Sequence, residues 1–219
     1  MAQAITFLHT SPVHVARFER LLAEADPGIP TRHIVDETLL SDARTEGLTA
    51  SVRGRITERI GEAASPETAA VVCTCSTIGA CAEEVALDRP LIRVDRAMAE
   101  QAVALGSVIL VVAALESTLT PTRALVLDAA QRAGKRIQIA DALCEDAWAT
   151  FESGDQAAYL RAIADCVRTH AVGVNVVVLA QASMDGAADL CADLGIPILS
   201  SPRLGVAAAV QAYRTTQRA

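Results

Sequence analysis

The sequence predicts an α/β protein made of two similar halves, each a parallel sheet flanked by helices. Three observations lead there. Short apolar runs suited to buried parallel strands alternate with longer amphipathic stretches, the pattern of repeated βαβ units. With 219 residues and 52% apolar content, the chain is large enough to fill a sizeable core. It also matches itself when slid by 106 positions, which lays Ser11 on Ser117, Val71 on Val177 and Cys75 on Gln181.

In chain order, the runs Ala4–His9, Ala70–Thr74 and Leu91–Val94 are the strands expected of the first half. Val108–Ala113, Arg136–Ala140, Val174–Leu179 and Ile196–Leu199 are those of the second. Helices are expected at Val13–Glu24, Asp42–Ala63, Ile78–Ala86 and Met98–Ala104, then at Pro121–Arg132, Asp155–Ala171, Met184–Leu194 and Val206–Arg218. The hydroxyls of Ser76 and Thr77 before Ile78, and Thr120 before Pro121 at a first helical position, read as helix starts.

The 106-residue register superposes more than apolar runs. VVCTCSTIGACAEEV lies over VVLAQASMDGAADLC, with Thr77 on Ser183 and Ile78 on Met184, and a shift of 107 lays Pro90-Leu91-Ile92 over Pro197-Ile198-Leu199. Strand, hydroxyl-rich turn and helix recur together, as expected of a duplication. The halves are expected at 1–98, completed by a returning C-terminal helix within 204–219, and at 99–203. The chain crosses between them at 95–101 and 202–205.

Composition narrows the function. The net charge of -7 is spread along the chain with no basic cluster or interleaved aromatics, so no nucleic-acid partner is expected. No apolar run is long enough to span a bilayer and the opening MAQAITFLHT has no basic n-region, so no membrane association and a cytoplasmic location are expected. Six cysteines, at 73, 75, 81, 144, 166 and 191, lie mostly inside apolar segments; a disulfide framework is not expected, and Cys73, Cys81, Cys144, Cys166 and Cys191 read as buried packing. No GxGxxG or P-loop sequence follows any strand, and Cys73-Thr74-Cys75 has no second Cys/His pair at a zinc-type spacing, so no cofactor and no metal are expected.

In an open parallel sheet, ligands bind outside the carboxyl ends of the strands. Four turns there share a chemical character, His9-Thr10-Ser11, Cys75-Ser76-Thr77, Glu116-Ser117-Thr118 and Gln181-Ala182-Ser183, and Ser200-Ser201 follows the last strand. Hydroxyls and free amides at helix starts suit a carboxylate. The candidate binding residues are Thr10, Ser11, Ser76, Thr77, Ser117, Thr118, Gln181, Ser183, Ser200 and Ser201. Any single turn taken alone reads as a helix cap, and the five together favour a site. Cys75 is the candidate catalytic residue, because a thiol at a strand-to-helix turn meets unpaired N–H groups that stabilise negative charge on sulfur. His9, His14 and Glu116 are further candidates.

These residues resemble those of the aspartate/glutamate/hydantoin racemase superfamily. Cys75-Ser76-Thr77 resembles its Cys-Asn-Thr element, with Ser76 in place of Asn. Val178-Leu179-Ala180-Gln181-Ala182-Ser183 resembles its Leu-Gly-Cys-Thr-His stretch, Ala114–Leu119 its Thr-x-x-Thr stretch, and Ser200-Ser201-Pro202 its last carboxylate-binding turn. The resemblance covers essentially the whole chain. It implies a cofactor-independent racemase or isomerase of a small carboxylate or amino acid, with its site in the cleft between the halves and commonly a homodimer. In that family a cysteine from each half serves the two faces of the substrate's α-carbon, one taking the proton and the other returning it. Here Cys75 stands for the first and Gln181, which exchanges no proton, stands where the second belongs; a two-base reaction then needs Cys81 or another nearby acid at the second face. A one-cysteine decarboxylase of a malonate-like acid, similar to the arylmalonate decarboxylases, and a non-catalytic carboxylate-binding module are the alternatives.

Overall fold

The computed structural model describes residues 3–218; Met1, Ala2 and Ala219, the last within the expected C-terminal helix, lie outside the described residues. Two compact units divide the chain, one running up to Val94 and resuming at Pro202, the other Asp95–Ser201. Each contains one four-stranded parallel sheet with helices on both faces. No described helix is long and apolar enough to cross a membrane.

In the first unit, β1 (Ala4–His9), β2 (Thr31–Val35), β3 (Thr68–Cys73) and β4 (Leu91–Arg93) lie in the order β2-β1-β3-β4. Every side chain of β1 and β3 is buried, which is why both read as unbroken apolar or small-residue runs. β2 reads Thr-Arg-His-Ile-Val and is only partly covered at the sheet edge, so periodicity gave no sign of it. Helix α1 (Val15–Ala25) follows a 3-10 turn at Pro12–His14 and packs Phe18, Leu21 and Leu22 on Ile5, Phe7 and Val72. Helices α2 (Thr38–Thr45), α3 (Ala50–Ala63) and α4 (Ser76–Glu83) form the cluster built on Leu8 and Cys73, through Leu39, Ile56, Ile60 and Ile78.

Two corrections concern these helices. The stretch expected as one helix over Asp42–Ala63 is two, broken at Gly47, whose φ of 74° is left-handed backbone that glycine adopts without steric cost. Thr49 then caps α3 by accepting from the Val52 N–H. Helix α4 begins at Ser76, so Ser76 and Thr77 stand inside its first turn and Cys75 is the N-cap.

The second unit repeats the plan. Strands β5 (Val108–Ala113), β6 (Gln138–Leu143), β7 (Val176–Leu179) and β8 (Ile198–Ser200) lie in the order β6-β5-β7-β8. Val71 pairs with Leu91 and Val177 with Ile198, the 106- and 107-residue offsets of the internal match reproduced as ladder register. Helices α5 (Arg96–Leu105), α6 (Glu116–Arg132), α7 (Ala147–Glu152), α8 (Gln156–His170) and α9 (Ala187–Leu190) surround the sheet, with Tyr159, Ile163 and Val167 of α8 buried against Leu110, Val112 and Leu179. Helix α7 carried no sequence signal, α6 starts at Glu116 with Pro121 inside it rather than at its first position, and the stretch expected as one helix over Met184–Leu194 is α9 between two 3-10 turns.

Cys144 and Cys166 are disulfide-bonded, with their Cα atoms 6.2 Å apart. This corrects their reading as unpaired apolar packing. The β6 ladder runs to Leu143 rather than stopping at Ala140, which places Cys144 just past the strand, and α8 packs back against that sheet and brings Cys166 beside it.

Helix α10 (Ser201–Thr216) returns to the first unit, where Val206, Ala209 and Val210 join the Ile5–Phe7 cluster. It sits very close: a Cβ at Gly205 would lie 2.6 Å from the Val94 carbonyl oxygen, so only glycine permits this approach.

Candidate active site

Both units have a topological switch point. In the first, the chain leaves β1 toward α1 on one face of the sheet and leaves β3 toward α4 on the other, so a crevice opens between the carboxyl ends of these neighbouring strands. Thr10 and Ser11 stand on one side of it, Cys75, Ser76 and Thr77 on the other. Thr10, Ser76 and Thr77 are buried, and Ser11 and Cys75 are half-buried. The equivalent place in the second unit lies between β5 and β7. It is flanked by Ser117 and Thr118 at the start of α6 and by Gln181 and Ser183 after β7, with Ser200 and Ser201 one strand along.

The local backbone is the same in both. Thr74 N–H donates to the Leu8 carbonyl at 3.0 Å, and Ala180 N–H donates to the Val112 carbonyl at 2.9 Å. The next residue is in each case the extended N-cap of the following helical turn: Cys75 at φ -107°, ψ 116° and Gln181 at φ -115°, ψ 138°. Cys75 and Gln181 are therefore structural equivalents.

Their side chains do different things. Cys75 is the free cysteine left partly accessible, while Cys73, Cys81 and Cys191 are buried. Cys73 packs in the core, as its position in the strand predicts. Cys81 is no substitute for a second proton-transfer thiol: burial pushes its thiol up, and it lines a separate groove with Arg53, Thr57 and Glu84. Gln181 is only 8% exposed, and its Oε1 accepts from the Ala114 N–H at 2.7 Å. A backbone N–H is donor only, so this contact fixes which end of the amide faces it. Nε2 is then aimed elsewhere with no partner among the described residues. The hydroxyls of Ser117 and Ser201 are also buried without one. An amide and two hydroxyls in that condition are uncompensated donors suited to an anion. Removing the anchor is costly: Gln181→Leu orphans the Ala114 N–H and is expected to lower stability by about 1–3 kcal/mol in urea titration, with the fold retained.

Other candidates have local roles. Ser183 Oγ is hydrogen-bonded to Tyr159 Oη at 2.8 Å, Ser200 Oγ donates to Asp185, and the exposed Glu116 accepts from Thr120 Oγ1 at 3.0 Å. His9 is fully buried with both ring nitrogens engaged, Nδ1 with Thr74 Oγ1 and Nε2 with His33 Nδ1, each at 2.9 Å. Burial holds its pKa down to about 3, with the neighbouring His33 and His14 acting in the same sense. His14 is likewise held down to about 4, by desolvation and then by Arg17. Both are neutral at neutral pH. Three of the four histidines, scattered along the sequence, meet here: the His9 ring centroid is 5.1 Å from that of His33 and 6.5 Å from that of His14.

No family model and no curated protein matches the sequence. Solved structures do match. An aspartate racemase from Picrophilus torridus is similar over 97% of this chain and 95% of its own, with a TM-score of 0.75 and 15% identity. A glutamate racemase isoform from Bacillus anthracis is similar over 99% of this chain and 82% of its own, with a TM-score of 0.72 and 15% identity. An allantoin racemase from Pseudomonas fluorescens is 19% identical over 97% of this chain and 92% of its own, with a TM-score of 0.62. At such identities the likeness is one of architecture, and the fold of this chain is that of the aspartate, glutamate and allantoin racemases.

Proposed function

We propose that this chain is a cofactor-independent enzyme of the aspartate/glutamate/hydantoin racemase superfamily, acting on a small carboxylate or amino acid by proton transfer at Cys75. The observation that carries the reading is the equivalence of Cys75 and Gln181. The same N-cap position after the third strand of each half holds a reachable thiol in one and a fixed amide donor in the other.

The chemistry follows from those groups. A thiolate removes a proton α to a carboxylate, or a thiol delivers one, while negative charge develops on the carboxylate-derived oxygens. Ser76, Thr77 and the first-turn N–H groups of α4 directly follow Cys75, the N-cap of that helix. Gln181 Nε2 and the Ser117 hydroxyl supply neutral donors of the kind that stabilise such an oxyanion. Thr10, Ser11, Thr118, Ser183, Ser200 and Ser201 complete the set proposed to bind substrate.

Gln181 favours a specific second reading. An amide exchanges no proton, so a single thiol works on one face of a planar carbanion, which suits a decarboxylase of a malonate-like acid or another one-sided protonation. Chiral chromatography and carbon dioxide release separate the readings across a panel of amino acids, hydroxy acids and substituted malonates. Loss of optical purity supports the racemase and a chiral monoacid the lyase. Tight binding of a panel member without conversion of any replaces both with a carboxylate-binding module.

A further inference from the structure

The half that carries the thiol also carries a line of side-chain hydrogen bonds through Thr74 and His9, whose equivalents in the other half are alanines. Thr74, the residue before Cys75, donates from both its N–H and its hydroxyl to the Leu8 carbonyl, at 3.0 Å each. With its only hydroxyl proton on that carbonyl, Thr74 Oγ1 accepts from His9 Nδ1 at 2.9 Å. His9 therefore bears its proton on Nδ1, and its Nε2 accepts from His33 Nδ1 at 2.9 Å. The line ends at His33, whose Nε2 bears no proton in this arrangement and has no hydrogen-bond partner among the described residues. A backbone carbonyl cannot donate, so the hydrogen bonds from His33 through His9 and Thr74 to Leu8 run with one polarity. The rings are packed as well: Phe7 stacks on both His9 and His33, and Phe18 tilts against His9.

At the equivalent positions of the second unit stand Ala113 and Ala180. The backbone bond from Ala180 to Val112 is kept there, and neither alanine has a side chain able to form the bonds that Thr74 and His9 make. Gln181 anchors itself on Ala114 instead. A thiol that has to stay available for chemistry cannot anchor itself in that way.

The geometry points to His9 as the positioning residue for Cys75: through Thr74 it fixes the peptide from which the thiol projects. This rests on the reading of Cys75 as the proton-transfer residue. His9 is not itself catalytic, since both nitrogens are committed within the fold.

Three variants of the full chain test it, His9→Leu, His9→Asn and Thr74→Val. Asparagine places an amide N–H where Nδ1 stands and keeps the bond to Thr74; leucine and valine each remove that bond. The first readout is the tautomer of His9 and His33 in long-range proton–nitrogen NMR spectra of the wild type, expected as Nδ1–H for both at neutral pH. The second is the rate at which iodoacetamide alkylates Cys75, located by mass spectrometry. His9→Leu and Thr74→Val are expected to change that rate by about fivefold or more and His9→Asn to hold it within about twofold. On any substrate turned over, kcat is expected to fall about tenfold in the first two variants with KM little changed. An Nε2–H tautomer at His9, or folded His9→Leu and Thr74→Val that alkylate at the wild-type rate, overturns the proposal. Should His9→Leu fail to fold, Thr74→Val decides alone, being close to isosteric. If the wild type converts no substrate, the enzyme reading fails while the tautomers and alkylation rates still decide whether His9 positions the thiol.

Discussion

Cys75→Ala is expected to reduce turnover of the true substrate by about a thousandfold or more, since it removes the group that transfers the proton rather than one that aids it. The fold is expected to be unaffected, because Cys75 is half-buried at the rim of the Leu8–Cys73 cluster and its side chain makes no cap hydrogen bond. Ultraviolet circular dichroism and urea midpoints close to wild type, beside lost activity, are the predicted combination. Substrate binding is expected to survive, as the hydroxyls and the Gln181 amide remain. A variant retaining wild-type kcat would remove Cys75 from the chemistry.

Acid should weaken this fold well before its carboxylates titrate. His9, His14 and His33 all have folded pKa values below the ordinary 6.5, His9 at about 3 and His14 at about 4, and burial is the leading cause for each. The unfolded chain takes up protons below about pH 6.5 that the folded chain refuses, so stability is complete above that value and is lost as pH falls toward the folded values. Each such histidine contributes about 1.4 kcal/mol per pH unit within its window. His9 and His14 together make a slope of about 2–3 kcal/mol per unit, a large part of the stability of a domain this size. The carboxylates held low by arginine, Asp26 by Arg214 and Asp128 by Arg96, act in the lower window beneath 3.8. Urea midpoints measured from about pH 7 to pH 5 should fall steeply, and His14→Phe should flatten the curve. A flat profile would mean that these rings are protonated in the native state.

The parts of the fold legible in the sequence are those where local pattern and tertiary environment agree. β1, β3, β5 and β7 are central strands buried along nearly their whole length, so continuous apolar runs marked them. β2 and the end of β6 are edge segments, and Thr31–Val35 has too little apolar content to register. Gly47 divides α2 from α3 through its backbone angle, which hydrophobic periodicity does not report. In the site, the internal match alone paired Cys75 with Gln181, because both sit at a turn whose length the two halves share. The contacts among His9, His33 and Thr74 span 24 and 65 residues, and Cys144 meets Cys166 only because α8 folds back on the sheet. Such pairings are properties of the assembled core. A histidine in a strand and a cysteine in an apolar run carry no mark of them.

The central claim, that the Cys75 thiol moves a proton at the carbon next to a carboxylate, is tested most directly by deuterium incorporation at that carbon in heavy water. Wild type and Cys75→Ala are followed side by side by proton NMR on the same small acids. Incorporation by the wild type that vanishes in the variant is the predicted result. Equal incorporation by both proteins would contradict the account.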